Sequence, residues 1–201
     1  MKKRTAALLL TFVLIFGAAV GGTVAWLTAK TDDVVNTFTV GDINIDLWEH
    51  PLNDDGKTIN RNDDPVKANS GYKFVPGDTL QKDPYVVVKD GSEACYLFIK
   101  VTEENNTSDD GKIINYTISD PWIPVRDKPG YYYQIIESKT TADTSYPVLN
   151  PETVSVSRDV TKDMVEDLTT NPPKITFTAA AVQLVNVDTV ADALAKLPQG
   201  F

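Results

Sequence analysis

Residues 94–102 constrain the fold most, because both faces of an extended strand would be hydrophobic over this run. Successive side chains of a strand point to opposite faces of its sheet. One face would carry Cys95, Leu97, Ile99 and Val101, and the other Tyr96 and Phe98. A strand that is apolar on both faces has to be covered on both, so we expect this segment in the middle of a β-sandwich.

The rest of the chain after the N-terminal segment also alternates with a period of two residues, which is typical of strands. Turn residues separate the apolar runs, notably Pro76 with Gly77 and Asp90 with Gly91. Further strands are predicted at residues 84–89, 112–118, 130–136, 152–160 and 174–187, and short helices at residues 161–168 and 188–197. The pattern predicts an all-β protein, an antiparallel β-sandwich with one or two short helices.

The N-terminal segment has the pattern of an export signal. Three basic residues open the chain, and residues 5–29 carry no charge. Thr23 and Ala25 place small side chains where a signal peptidase requires them, which predicts cleavage after Ala25 and Trp26 as the new N-terminus. The predicted signal peptide is therefore residues 1–25. The alternative is an uncleaved transmembrane helix, because residues 5–29 are long enough to span a bilayer.

The predicted mature domain, residues 26–201, begins with a β-prone segment whose apolar parity changes at Gly41. Before the change one face carries Val34, Asn36, Phe38 and Val40, and after it the apolar positions are Ile43, Ile45 and Leu47. If a regular strand continued through this change, one of the two sets of apolar side chains would face water. We therefore expect a bulge or sharp bend at Gly41. Such a bend lets one strand leave a sheet and enter another.

The junction Gly22-Thr23-Val24-Ala25-Trp26, followed by Asn36, Phe38 and Gly41, resembles the start of TasA/camelysin-type exported proteins. Their signal peptides are processed by a SipW-type signal peptidase. Residues 74–101 and 175–194 are also similar to blocks of that group, whereas residues 49–72 and 103–172 have no counterpart. The resemblance implies that the sandwich is of jelly-roll type, preceded by an N-terminal signal or transmembrane helix.

The same resemblance implies a function and a location. TasA-like matrix proteins assemble when the N-terminal strand of one subunit completes the sheet of another. Here the assembly strand would comprise Val34, Asn36, Phe38, Val40 and Gly41, and cleavage beside it would release it. We therefore expect a secreted, extracellular protein of the cell surface or biofilm matrix. Its partners would be the SipW-type peptidase and further copies of itself or a related matrix protein, with membrane contact only through the N-terminal segment before cleavage.

Two other functions stay open on the sequence. One is a monomeric extracellular binding module for glycan or protein, which would use Trp122 and the tyrosines at positions 131–133. Alternate tyrosines of a strand face opposite sides, so packing in the core and at an edge is the expected role of these side chains. The other is a camelysin-like metallopeptidase, but the chain has no His-Glu-x-x-His motif and one histidine, His50. We expect His50 on the surface near a turn, and no enzymatic activity or catalytic residue.

The charge and the cysteine content further limit the partners and site types that we expect. The formal net charge is −9, which argues against nucleic acid as a partner. The single cysteine, Cys95, lies in the apolar run and is expected to be buried. No cofactor is expected, although acidic loops leave calcium open: Asp54, Asp55, Asp63, Asp64, Asp109 and Asp110. Their spacing does not match a helix-loop-helix calcium site, so turn formation and solvation are the expected roles.

Overall fold

The structure is a computed structural model that describes residues 42–108, 111–161, 168 and 170–201. The predicted cleavage site at Thr23, Ala25 and Trp26 lies outside the described residues. So does the predicted assembly strand at Val34, Asn36, Phe38, Val40 and Gly41. Most of the helix predicted at residues 161–168 also lies outside, as do Asp109 and Asp110.

Within the described ranges the chain forms strands of 2 to 10 residues and a short helix. The strands are β1 (Ile45–Trp48), β2 (Thr79–Gln81), β3 (Tyr85–Val88), β4 (Cys95–Glu104), β5 (Thr107–Ser108), β6 (Gly111–Lys112), β7 (Ile114–Asn115), β8 (Ile123–Pro124), β9 (Tyr131–Ile136), β10 (Thr144–Pro147), β11 (Thr153–Val156) and β12 (Lys174–Gln183). The helix is α1 (Val190–Ala195).

The strands build antiparallel sheets, with the strand orders β1-β3-β10, β2-β11-β7 and β12-β4-β9-β8, and β5 and β6 form a hairpin. Every pairing between these strands is antiparallel. The prediction of an all-β protein with antiparallel sheets is confirmed.

Strand β4 lies inside its sheet and is covered on both faces, as predicted from its two apolar faces. It lies between β12 and β9. One face contributes Cys95, Leu97 and Ile99 to the larger hydrophobic cluster, which we call the main core and which also contains residues of β2, β3, β7 and β11. The other face contributes Tyr96 and Phe98 to a second cluster, the outer core. Burial on both faces is what a strand without polar alternation requires.

The helix predicted at residues 188–197 is confirmed in a shorter form as α1. The hydroxyl of Thr189 accepts a hydrogen bond from the backbone N–H of Asp192 at 3.2 Å, which caps the first turn. Val190, Leu194 and Leu197 pack against the outer core, as their helical spacing predicts. The helix therefore covers the face of β4 that the main core leaves open.

The two predicted turns are confirmed. The backbone N–H of Asp78 donates to the carbonyl of Val75 at 3.0 Å across Pro76 and Gly77. In the second turn, the N–H of Ser92 donates to Lys89 at 3.1 Å.

The continuous strand predicted at residues 112–118 is wrong. The chain forms only the short β6 and β7 there, with a separate bridge between Ile118 and Leu149. The reason is the buried side chain of Asn106, which accepts from the N–H of Ile114 at 2.7 Å and donates to its carbonyl at 2.9 Å. The amide of Asn106 thus forms the backbone hydrogen bonds that a neighbouring strand would otherwise form with Ile114.

The strand predicted at residues 174–187 exists but ends earlier, at Gln183. The N–H of Val187 donates to the carbonyl of Leu184 at 3.2 Å, so the chain turns there. Leu184 and Val187 then pack into the outer core. The apolar pattern continues past the strand because these side chains cover β4 instead of extending β12.

Candidate functional site

Most edge strands in the described part of the protein are short or carry residues that discourage pairing. β2 and β7 have 3 and 2 residues. β8 and β10 end in Pro124 and Pro147. In β1, Asp46 pairs with Lys67 at 3.0 Å. Short length, proline and charge are the usual means by which proteins protect a sheet edge from association.

Beyond its first residue, Lys174, the outer edge of β12 has none of these features, although β1 lies close to it. β12 is 10 residues long and pairs with β4 on one side over its whole length. Residues 175–187 contain no charged residue, no proline and no glycine. A long, uncharged edge strand is a template for pairing with another chain.

The hydrogen-bond pattern of β4 shows which groups of β12 face outward. The N–H of Val101 donates to Gly130, on the β9 side, so the adjacent Lys100 points its N–H toward β12. Lys100 lies opposite Thr178, and even-numbered residues of β12 therefore bond to β4. The outward groups belong to Ile175, Phe177, Ala179, Ala181 and Gln183, and no described strand pairs with them.

A groove runs beside the first half of this edge. It consists of two adjoining cavities of about 140 and 170 Å³ that share Asn69, Lys82, Lys174 and Ile175. Its apolar lining comes from the ends of several strands: Leu47, Phe74, Leu80, Ile114, Val154, Ile175 and Phe177. The side chains of Ile175 and Phe177 pack against the main core. The groove is thus an opening in the side of the main core next to unpaired backbone groups.

Several polar residues with largely buried side chains also line the groove. The ammonium of Lys82 lies 2.8 Å from the carboxylate of Glu49, with side chains 11% and 9% exposed. Glu49 also accepts from the N–H of Asn69 at 2.6 Å. The hydroxyl of Tyr72 is buried without a hydrogen-bond partner among the described residues. Burial, with the nearby charges of Glu49 and Asp83, raises the pKa of Tyr72, so the hydroxyl stays protonated and available as a donor.

His50 is less exposed than the surface position that the sequence predicted. Its side chain is 20% exposed, and its Nδ1 lies 2.7 Å from Oδ2 of Asp83, whose side chain is 3% exposed. Arg61 approaches the same oxygen at 3.4 Å and pairs with Glu152 at 2.5 Å. These partners come from distant parts of the chain, so the cluster fastens the segment around Arg61 to the strands.

The acidic loop around Asp55 is a turn, as expected. One carboxylate oxygen of Asp55 accepts from the N–H groups of Lys57 and Thr58 at 2.7 and 2.9 Å, and the hydroxyl of Thr58 donates to the other at 2.6 Å. The bond from that hydroxyl, followed by the backbone bonds, lowers the pKa of Asp55 to about 2. Within the described ranges, no three His, Cys, Asp or Glu side chains converge to hold a metal ion.

The tyrosines and tryptophan considered for carbohydrate binding pack inside the fold, as predicted. Tyr132 contacts the main core, whereas Tyr131 and Tyr133 contact the outer core on the opposite face. Trp122 is buried in the main core, and its indole N–H donates to the carbonyl of Pro147 at 2.8 Å. These rings therefore do not form one exposed platform.

The burial predicted for Cys95 is confirmed. The residue is fully buried, and burial raises the pKa of its thiol to about 11. A protonated thiol inside the main core is a weak nucleophile, so Cys95 acts as a small hydrophobic residue.

The sequence predicted a donor strand for assembly but indicated no edge that could accept it. The predicted donor residues lie outside the described residues. The acceptor candidates Tyr72, Lys82 and Glu49 are separated along the chain, so no local motif joins them. The uncharged run at residues 175–187 is the sequence feature that could have identified an accepting strand. It indicates one only if the strand lies at the edge of a sheet, which the sequence does not show.

In the described part of the chain, no helix has the length and hydrophobicity needed to cross a bilayer. Comparisons with protein-family models, with curated proteins and with solved structures found no match.

Proposed function

We propose that this protein is an exported structural protein of the cell surface or biofilm matrix, a fibre subunit or an accessory to fibres. Copies assemble when residues 34–40 of one copy pair with the outer edge of β12 in the next. The single observation that carries the proposal is the 10-residue edge of β12, which pairs with β4 on one side and has no charge or proline on residues 175–187.

The physics of strand addition suits such an edge. Each main-chain hydrogen bond formed contributes roughly 0.5–1.5 kcal/mol net, and side chains of alternate residues enter the groove. The contact is head-to-tail, because the donor segment and the acceptor edge are different parts of the chain. A contact of this kind need not close, so it can continue into a filament.

Processing would control assembly. Residues 1–25 direct export and hold the chain at the membrane until a SipW-type peptidase cuts after Ala25. The cut releases Trp26 and the strand that follows it. In this proposal the sheets form a jelly-roll sandwich, and the protein needs neither a cofactor nor catalytic residues.

Removal of the donor segment tests the proposal. We expect protein that begins at Trp26 to polymerise, because it carries both donor and acceptor. We expect protein that lacks residues 26–40 to keep the described fold and to stay monomeric. Electron microscopy and light scattering would compare the two at equal concentration. Equal behaviour of the two proteins, whether both polymerise or neither does, contradicts the proposal.

A further inference from the structure

The groove beside β12 and the predicted donor strand share an unusual feature, which is a polar interruption in an apolar surface. This inference rests on the proposed function and concerns the register in which the strand pairs. A strand that slips by two residues keeps the same face inward, so hydrophobic side chains alone specify register weakly. A single polar pair inside an apolar contact can specify it.

On the acceptor side, the polar interruption is the group Glu49, Asn69, Tyr72 and Lys82. Glu49 and Lys82 satisfy each other, and Asn69 bonds to Glu49 and to the carbonyl of His50. Tyr72 is the member whose hydroxyl has no partner among the described residues, although the residue lines the groove. A buried hydroxyl without a partner costs roughly 1–3 kcal/mol, so a polar group delivered there would be favoured.

On the donor side, the polar interruption is Asn36. The other members of its face, Val34, Phe38 and Val40, are apolar. An asparagine amide can both donate and accept, so it can bond to a hydroxyl in either orientation. Placed anywhere else against the apolar lining, the amide would be buried without a partner.

Charge favours a second copy of this chain as the occupant. Asp32 and Asp33 directly precede the donor face. The groove is lined by Lys67 and Lys174, whose side chains are 58% and 62% exposed and whose present partners are carboxylates that are themselves partly exposed. Ion pairs with such exposure are weak, so these lysines can exchange partners at little cost.

We propose that residues 34–40 of a second copy lie along the outer edge of β12 in one register, with Asn36 against the hydroxyl of Tyr72. In this register Val34 and Phe38 occupy the apolar parts of the groove on either side. The pair Asn36–Tyr72 then selects the register of the added strand.

Cysteine cross-linking of the full-length, exported and processed protein tests the register. Reporter cysteines are placed so that Asn36 and Tyr72 both remain: F74C, in the same cavity as Tyr72, is combined with V34C or with F38C. The assembled protein would be oxidised mildly and run on a denaturing gel without reductant. Native Cys95 is fully buried with a raised thiol pKa, so it does not compete. The control pairs F74C with V40C, which lies on the same donor face but four residues from Asn36.

We expect a ladder of covalent oligomers from F74C with V34C or with F38C, whichever lies on the Phe74 side of Asn36, in at least several-fold higher yield than from the control. A higher yield from the control overturns the proposed register. Polymers seen by microscopy in the same experiment would still support the proposed function. A cross-linked monomer would show that the chain's own segment fills the groove. The absence of polymers in the unsubstituted protein would overturn both proposals.

A second experiment avoids new cysteines. N36V alone and Y72F alone each leave one polar group unpaired, so we expect each to raise the critical concentration for assembly roughly tenfold. The double variant removes both groups and is expected to recover most of the loss. Independent, additive effects of the two substitutions overturn the pairing of Asn36 with Tyr72.

Discussion

Gly130 holds the turn before β9 in a geometry that is strained for other residues. Its φ is +81°, and an added Cβ would lie 2.7 Å from the carbonyl oxygen of Val101. The N–H of the same Val101 donates to the carbonyl of Gly130 at 2.8 Å, so the two backbones are in direct contact. The close approach therefore requires glycine at this position.

We predict that G130A lowers the free energy of unfolding by about 2–4 kcal/mol, from about 1–2 kcal/mol of left-handed backbone strain plus overpacking. G91A is the matched control, because Gly91 has φ +80° but no atom within 4 Å of an added Cβ. It should lose only the strain, about 1–2 kcal/mol. Urea unfolding of both variants measures the difference, and equal losses would contradict the role of the close contact.

Single residues were predictable from the sequence where their neighbours along the chain decide their environment. Cys95 was predictable because the apolar run around it buries any side chain. His50 was not, because its burial comes from Asp83, 33 residues away. Asn106 was not either, because its role as a substitute strand partner depends on Ile114 folding back over it.

At the scale of elements, α1 depends on its N-terminal cap. The helix has 6 residues, so each end group is a large share of its hydrogen bonding. We predict that T189A lowers the free energy of unfolding by about 0.5–2 kcal/mol, because the N–H of Asp192 loses its acceptor. T189S keeps the hydroxyl and should change it by a few tenths of a kcal/mol. Chemical denaturation compares the two, and a loss in T189S equal to that in T189A would argue against capping.

The sequence predicted the elements better than their ends. The position and capping of α1 and both faces of β4 followed from local periodicity. The ends of β12 and the break at residues 112–118 depend on contacts with other segments, which periodicity does not report. The identity of the edge strands also depends on pairing, so the exposed side of β12 could not be predicted from residues 174–183.

At the scale of the whole molecule, β12 is an exception among the edges that the structure describes. The others are short, end in proline or carry paired charges, whereas β12 is long and uncharged over residues 175–187. A net charge of −9 keeps separate copies apart at long range, which favours one specific contact over general aggregation. The molecule therefore combines a repulsive surface with one long edge to which no other described strand is hydrogen-bonded.

Proline substitutions can test the outward and inward sides of β12 independently. Ala179 points its N–H outward, whereas Thr178 lies opposite Lys100 and bonds to β4. Proline removes the N–H, so A179P should leave the free energy of unfolding within about 1 kcal/mol of the original. T178P breaks the internal sheet and should cost about 3 kcal/mol or more.

Sedimentation velocity of the A179P variant, processed to begin at Trp26, tests whether β12 accepts the donor strand, because the donor strand and the fold stay intact. We predict folded monomers at concentrations where the unsubstituted protein is polymeric. Polymers of A179P at the original critical concentration, in protein shown to be folded by its unfolding curve, would contradict the assignment of β12 as the accepting edge.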